Sequence, residues 1–135
     1  MHYKTFFSLI FLLITSCATI SIFDQKAYEN VVACKVDTLV LMSKATESYT
    51  VYKKELEELN KELDKAYEYD KNRRLNIITI QMWDKLRDPN SQLLGGFLKE
   101  WSENDHLLKR YVAHKQNQIG QGFDIIIQLE SNKLR

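Results

Sequence analysis

Proline, glycine and histidine are all scarce in this chain of 135 residues, which holds one proline, four glycines and three histidines. Between Asp24 and Asp88 neither proline nor glycine occurs, so nothing there breaks a helix by removing a backbone donor or loosening the backbone. The histidines are too few and too dispersed for a recognisable metal site. His106 and His114 stand eight residues apart, not four, and no cysteine pair or HExxH motif accompanies them. No metal and no other cofactor is expected. An excess of either charge is missing as well, since the formal charge is only +1. A chain without a basic surplus cannot neutralise many phosphates, which argues against sequence-independent nucleic-acid binding.

What the chain does hold is a long uncharged run near its start. Met1-His2-Tyr3-Lys4 is a short, weakly positive stretch, and residues 6–14 form an apolar core of the length found in secretory signals. Ile14-Thr15-Ser16-Cys17 then places an aliphatic residue three before a cysteine, with small residues between. This resembles the lipobox of bacterial lipoproteins. The resemblance implies a signal peptide over residues 1–16, cleavage before Cys17, a diacylglycerol on the Cys17 sulfur and a fatty acyl group such as palmitate on the new N-terminus. It also associates Ala18, in place of an aspartate, with the outer membrane if the host is Gram-negative. The competing expectation is an uncleaved helix over residues 6–23, whose 18 uncharged positions just span about 30 Å of hydrocarbon. Thr15, Ser16, Thr19 and Ser21 weaken the second half of that segment. Both expectations leave the rest of the chain outside the cytoplasm, in a bacterial cell envelope. Loss of residues 1–16 removes Lys4 and no acid, leaving 18 basic and 18 acidic residues. Residues 17–23 become a lipidated tether of at most roughly 25 Å, and residues 24–135 a single domain.

Lipid on Cys17 leaves Cys34 unpaired. The surrounding VVACKVDTLVLM is apolar nearly all round a helix, which predicts a buried, inert thiol. Asp24 is a suitable N-cap, and Phe23 and Tyr28 are spaced to staple the helix start. From there one long helix is expected over about 24–71. Met42, Ala45, Tyr49, Tyr52, Leu56, Leu59, Leu63 and Ala66 alternate steps of three and four along it, forming a heptad seam. Lys53 to Arg74 is polar everywhere except that seam and is expected to be a solvated face. LNIITIQMWDKLR, residues 75–87, is expected to be helical despite its β-branched cluster. Asp88-Pro89 has the form of an N-cap followed by proline at the first helical position, and a last helix is expected from about Asp105. The fold class that follows is all-α: an antiparallel helical bundle or hairpin in which two or three shorter helices pack on the long first one.

LLGGFLKEW, residues 93–101, is the most unusual local feature. Two adjacent glycines in a helix cost on the order of 2 kcal/mol relative to alanine. Gly95 and Gly96 therefore mark either a tight approach inside the bundle or a partner contact anchored by Phe97 and Trp101. Gly120 and Gly122 suggest a bend or a close helix contact. No nucleophile elbow, glycine-flanked serine or Cys/His signature is present, and carboxylate pairs such as Glu100 with Glu103 are common on any charged helix. The lipobox together with FDQKAYE, KAYEYDKNR and LGGFLKEW resembles the small helical lipoproteins of bacterial envelopes, a resemblance that brings no activity with it. The expected function is that of a non-enzymatic, lipid-anchored interaction protein in an accessory, assembly or exclusion role. Its expected partners are the membrane and either an envelope protein or a second copy of the chain. A small-ligand or lipid-binding bundle using Trp83, Trp101 and the tyrosines is the alternative. An envelope hydrolase joining Cys34 or a carboxylate pair to a histidine is a third.

Overall fold

The computed structural model describes residues 20–134, and every regular element among them is helical. Cys17, the signal segment and the start of the tether lie outside the described residues. The helices are α1 (Gln25–Met42), α2 (Lys53–Lys71), α3 (Ile77–Arg87), α4 (Leu94–Asn104) and α5 (Lys109–Ser131). α1 packs on α2 and α5, and α3 packs on the same two helices. Phe23 bonds to Leu134 at one end while Gln116 reaches Leu39 further along, so α1 and α5 run antiparallel. The four helices close an up-down-up-down ring, and α4 leaves it to lie against α3. The antiparallel helical bundle expected from the sequence is the observed architecture.

α1 starts where its cap dictates. The Ala27 amide donates to Asp24 Oδ1 at 2.8 Å, and the Phe23 and Tyr28 rings meet across the start with centroids 6.3 Å apart. The single helix expected over 24–71 is instead two helices. α1 ends at Met42, residues 43–48 turn, and one 3-10 turn at Tyr49–Tyr52 leads into α2. No proline or glycine makes this break; hydroxyl side chains and a distant loop do. Ser43 Oγ donates to Val40 C=O at 2.6 Å, satisfying a carbonyl that the helix would otherwise use. Further on, the Leu107 amide donates to Ala45 C=O at 2.8 Å and the Tyr49 amide donates to Asp105 C=O at 2.8 Å. Ser48 Oγ adds a bond to Asp105 Oδ1 at 2.7 Å. The heptad seam survives the break, because Met42, Ala45, Leu56, Leu59, Leu63 and Ala66 are all buried within the chain.

Two other helix starts also differ from expectation. Asp88 closes α3 in an extended conformation, its carboxylate accepting the Asn90 amide at 2.8 Å, and α4 begins only at Leu94. The residue before a proline is held extended in either role, so Asp88-Pro89 marks a boundary without saying which helix it serves. Asp105 sits at φ 64 and caps α4, so α5 starts four residues later, at Lys109. Gly95 and Gly96 belong to the chain's own turn. A Cβ on Gly95 would lie 2.1 Å from Arg87 O, and one on Gly96 1.8 Å from Ser91 O, so the first turn of α4 presses onto the preceding loop as no larger residue allows. Gly120 and Gly122 leave α5 unbroken and face Leu39 and Leu86.

Candidate functional site

Most charged side chains of this chain meet water, but one group does not. At the end of the bundle where the chain enters α1, called the entry end below, Asp70, Glu130 and Lys133 are 3%, 1% and 8% exposed. Arg73 joins them. Its Nη1 bonds Asp70 Oδ1 at 3.0 Å and Glu130 Oε2 at 2.8 Å, and its Nη2 bonds Glu130 Oε1 at 3.0 Å. Lys133 Nζ donates to Glu130 Oε2 and Asn76 Oδ1, both at 2.6 Å. Trp83 Nε1 donates to the other Asp70 oxygen at 2.7 Å. Two anions and two cations thus balance in a dry setting with their oxygens bonded, the condition under which buried ions are tolerated.

The same group fastens the incoming chain. The Asp24 amide donates to Glu130 Oε1 at 2.7 Å, Arg73 Nη2 donates to Ile22 C=O at 2.7 Å, and Ser21 Oγ donates to Asn76 Oδ1 at 3.1 Å. Ser21 to Phe23, which fall within the segment expected as a tether, are thus bonded onto the bundle. Burial pushes the Glu130 carboxyl up, but bonds from Arg73, Lys133 and the Asp24 amide outweigh it and hold the pKa below the ordinary 4.5. Arg73 is shifted the opposite way: burial disfavours its charge, yet Glu130 and Asp70 raise its pKa above the ordinary value.

None of these residues stood out in the sequence, where Lys53 to Arg74 suggested a solvated face. A signal was nonetheless present in their phase. Leu59, Leu63 and Ala66 step on to Asp70 by four, and Phe123 and Ile126 step on to Glu130 and Lys133 by four and three, so each charge continues a buried stripe. Lys115 lies in the stripe between Val112 and Ile119 in the same way, 6% exposed, its Nζ donating to Gln92 C=O at 2.8 Å. The rest of the α2 outer face is solvated as expected, with exposed pairs such as Lys65 with Glu62 that contribute little.

The residues expected to carry chemistry are dispersed. Cys34 is a buried free thiol whose Sγ points at Glu62 C=O, and burial pushes its pKa up to about 12. His106 and His114 are exposed, and the nearest ion partner of His106 is its neighbour Asp105. Cys34 lies on α1 and bonds α2, away from both. Glu100 accepts the Tyr111 hydroxyl and does not pair with Glu103. Among the described residues no three His, Cys, Asp or Glu side chains converge as a metal site would require.

The aromatic residues among those described are spread over separate contacts. Trp83 and Trp101 are fully buried; Trp83 meets Phe123 edge-on at 6.1 Å, and Trp101 Nε1 donates to the carbonyls of Glu47 and Asp105, both at 3.1 Å. Tyr49 and Tyr52 pack on Trp101, Tyr111 stacks on Phe97, Tyr69 donates to Asp24 and Tyr67 lies under Arg87. Phe97 and Trp101, 1% and 0% exposed, fill the chain's own core and have no face left to anchor a partner. Of the contact expected at Gly95, Gly96, Phe97 and Trp101, the two aromatic side chains are thus buried within the chain.

A surface feature remains on the opposite side of the α1–α2 hairpin. A groove of about 560 Å³ runs between the two helices, floored by Val40, Leu41, Tyr52 and Leu59 and edged by Asp37, Glu55, Glu58 and Glu62 together with Lys44, with Lys54 and Lys65 paired to Glu58 and Glu62. Val40 is 61% exposed there. An apolar floor between acidic edges suits a basic amphipathic segment. No described helix is long and apolar enough to cross a membrane. Family models, curated proteins and solved structures offer no match to the chain.

Proposed function

We propose that this chain is a lipid-anchored protein of the bacterial cell envelope, acylated at Cys17, that works by holding a partner protein and not by catalysis. Support for the anchor is the Ile14-Thr15-Ser16-Cys17 motif behind an apolar segment. The observation that carries the interaction is the groove between α1 and α2, an apolar channel whose lining holds four acids and one lysine. Its occupant is a basic amphipathic helix of an envelope partner, apolar face on Val40 and Tyr52, cations toward Glu55 and Glu58. The role is that of an accessory, assembly or exclusion factor. A second copy of the chain is the other candidate occupant. The heptad seam does not call for one, since Met42, Ala45, Leu56, Leu59, Leu63 and Ala66 are buried within the chain and Tyr49 and Tyr52 pack on its core.

Photo-cross-linking in native membranes tests this. A photoreactive residue replacing Val40 is expected to give one discrete adduct with another protein, which the double reversal Glu55→Lys and Glu58→Lys reduces about tenfold or more. The same probe replacing exposed Ile125 is expected to give none. An adduct indifferent to the reversal contradicts the groove, and an adduct of two copies of the chain replaces the partner with a homo-oligomer.

A further inference from the structure

Six of the twelve large apolar side chains exposed among the described residues lie at the entry end. Ile20, Ile22, Leu75, Ile77, Ile78 and Leu134 come from three separate stretches, and Ile22, Ile77 and Leu134 are 71%, 68% and 74% exposed. Backbone bonds set the stretches side by side: the Ser21 amide donates to Leu75 C=O at 3.0 Å, and the Phe23 amide donates to Leu134 C=O at 2.9 Å. Ile20, Leu75, Ile77 and Ile78 line one hollow and Ile20, Ile22 and Leu75 another, so these five side chains form one patch, with Leu134 joined to it through the Phe23 backbone. Leu75 is held at φ 58, a left-handed conformation that leucine adopts only under constraint. The constraint leaves its side chain 45% exposed, so the strain is not matched by burial within the chain. Arg74 lines a second hollow on the same end, beside Ile20 and Ile22.

We propose that the entry end of the bundle is seated on the lipid bilayer, with Ile77, Ile78 and Leu134 in the headgroup–acyl boundary and Arg74 at the level of the lipid phosphates. This rests on the lipid anchor proposed at Cys17. Ser21 is bonded to the bundle, so four residue steps, at most about 14 Å, separate it from Cys17. Acyl chains there bring the membrane to this end alone. The far end lies about 35 Å away, at the other end of the 23 residues of α5. In water the patch is an association liability; against lipid it adds apolar burial to that of the acyl chains. It also fixes the orientation of the domain. α1 and α2 then stand up from the membrane, and their groove faces sideways into the envelope space.

The test uses the full chain purified from its native membrane and reconstituted in vesicles of phosphatidylethanolamine and phosphatidylglycerol containing spin-labelled phosphatidylcholine. Ile77→Cys and Leu108→Cys each carry an environment-sensitive fluorophore, with the labelled site checked by peptide mass. Cys34, buried and unreactive at neutral pH, stays unlabelled. Quenching of about twofold or more is expected at position 77 and none at position 108, which is exposed at the far end. Chains that co-float with the vesicles but show no quenching at 77, or equal quenching at both sites, overturn the seating while leaving the anchor intact. A chain that does not float overturns both. Blue-shifted emission at 77 that spin-labelled lipid fails to quench would point to a second copy or the chain's own apolar segment as the occupant, and it would likewise overturn the proposal.

Discussion

Replacing Glu130 with alanine is expected to lower the unfolding free energy by about 3–5 kcal/mol, because removal of one partner strands opposite charges that remain buried. Arg73 loses the carboxylate it grips with both nitrogens, Lys133 loses the anion it pairs with, and the Asp24 amide loses its acceptor. For a domain of this size the shift in melting temperature is roughly 10–25 °C. Glu130→Gln keeps the shape and one carbonyl acceptor and is expected to cost less. Urea melts check both, with the slope unchanged if the native state is intact. Acid gives an independent handle. The folded pKa of Glu130 lies below its ordinary value, so its contribution is complete above about pH 4.5 and is lost as pH falls from there through the folded pKa. Glu130→Ala is expected to flatten the acid limb of the stability profile in that window. Asp24, with its pKa also lowered, gives the variant a residual slope of the same sign.

Trp101→Ala is expected to cost as much, about 3–5 kcal/mol for a fully buried tryptophan. Besides the cavity beneath Tyr49, Tyr52 and Phe97, the change leaves the carbonyls of Glu47 and Asp105 without the indole donor they share. Those carbonyls belong to the two loops that interrupt α1 and α2 and separate α4 from α5, so damage should concentrate at the far end. Hydrogen exchange should quicken first at the amides of Tyr49 and Leu107, whose bonds join these loops. A Trp101→Ala chain that melts like the wild type but loses a partner would instead restore this tryptophan as a contact residue.

Local rules foretold local structure well. Asp24 with Phe23 and Tyr28 sets the first helix start because cap and staple involve neighbours only. Cys34 is buried as its apolar surroundings implied. The glycine pair sits at a tight approach within the bundle, one of the two meanings its cost allowed. The break at residues 43–52 was hidden because its cause is tertiary: backbone groups there are satisfied from Asp105 and Leu107, about 60 positions along the chain. The charge cluster was hidden for a related reason. Its phase with the buried stripes places Asp70, Glu130 and Lys133 inside, but nothing in the sequence pairs Arg73 with Glu130, 57 residues apart. The α1–α2 groove needed the hairpin to form before its acidic edges could face each other across Val40.

The buried cluster gives the proposed anchor a mechanical meaning. Any pull on Cys17 reaches the bundle through Ser21 to Asp24, and these residues are tied to α2, α3 and the end of α5 by bonds to Asn76, Arg73 and Glu130. A rigid joint holds the orientation of a docking face better than a loose leash. Intact mass and fatty-acid labelling of the protein from its native membrane, comparing wild type with Cys17→Ser, test the anchor itself. The expected result is a wild-type chain that begins at Cys17 and carries the mass and label of attached lipid, both absent from the variant. An unlabelled wild-type chain that retains Met1 would contradict it.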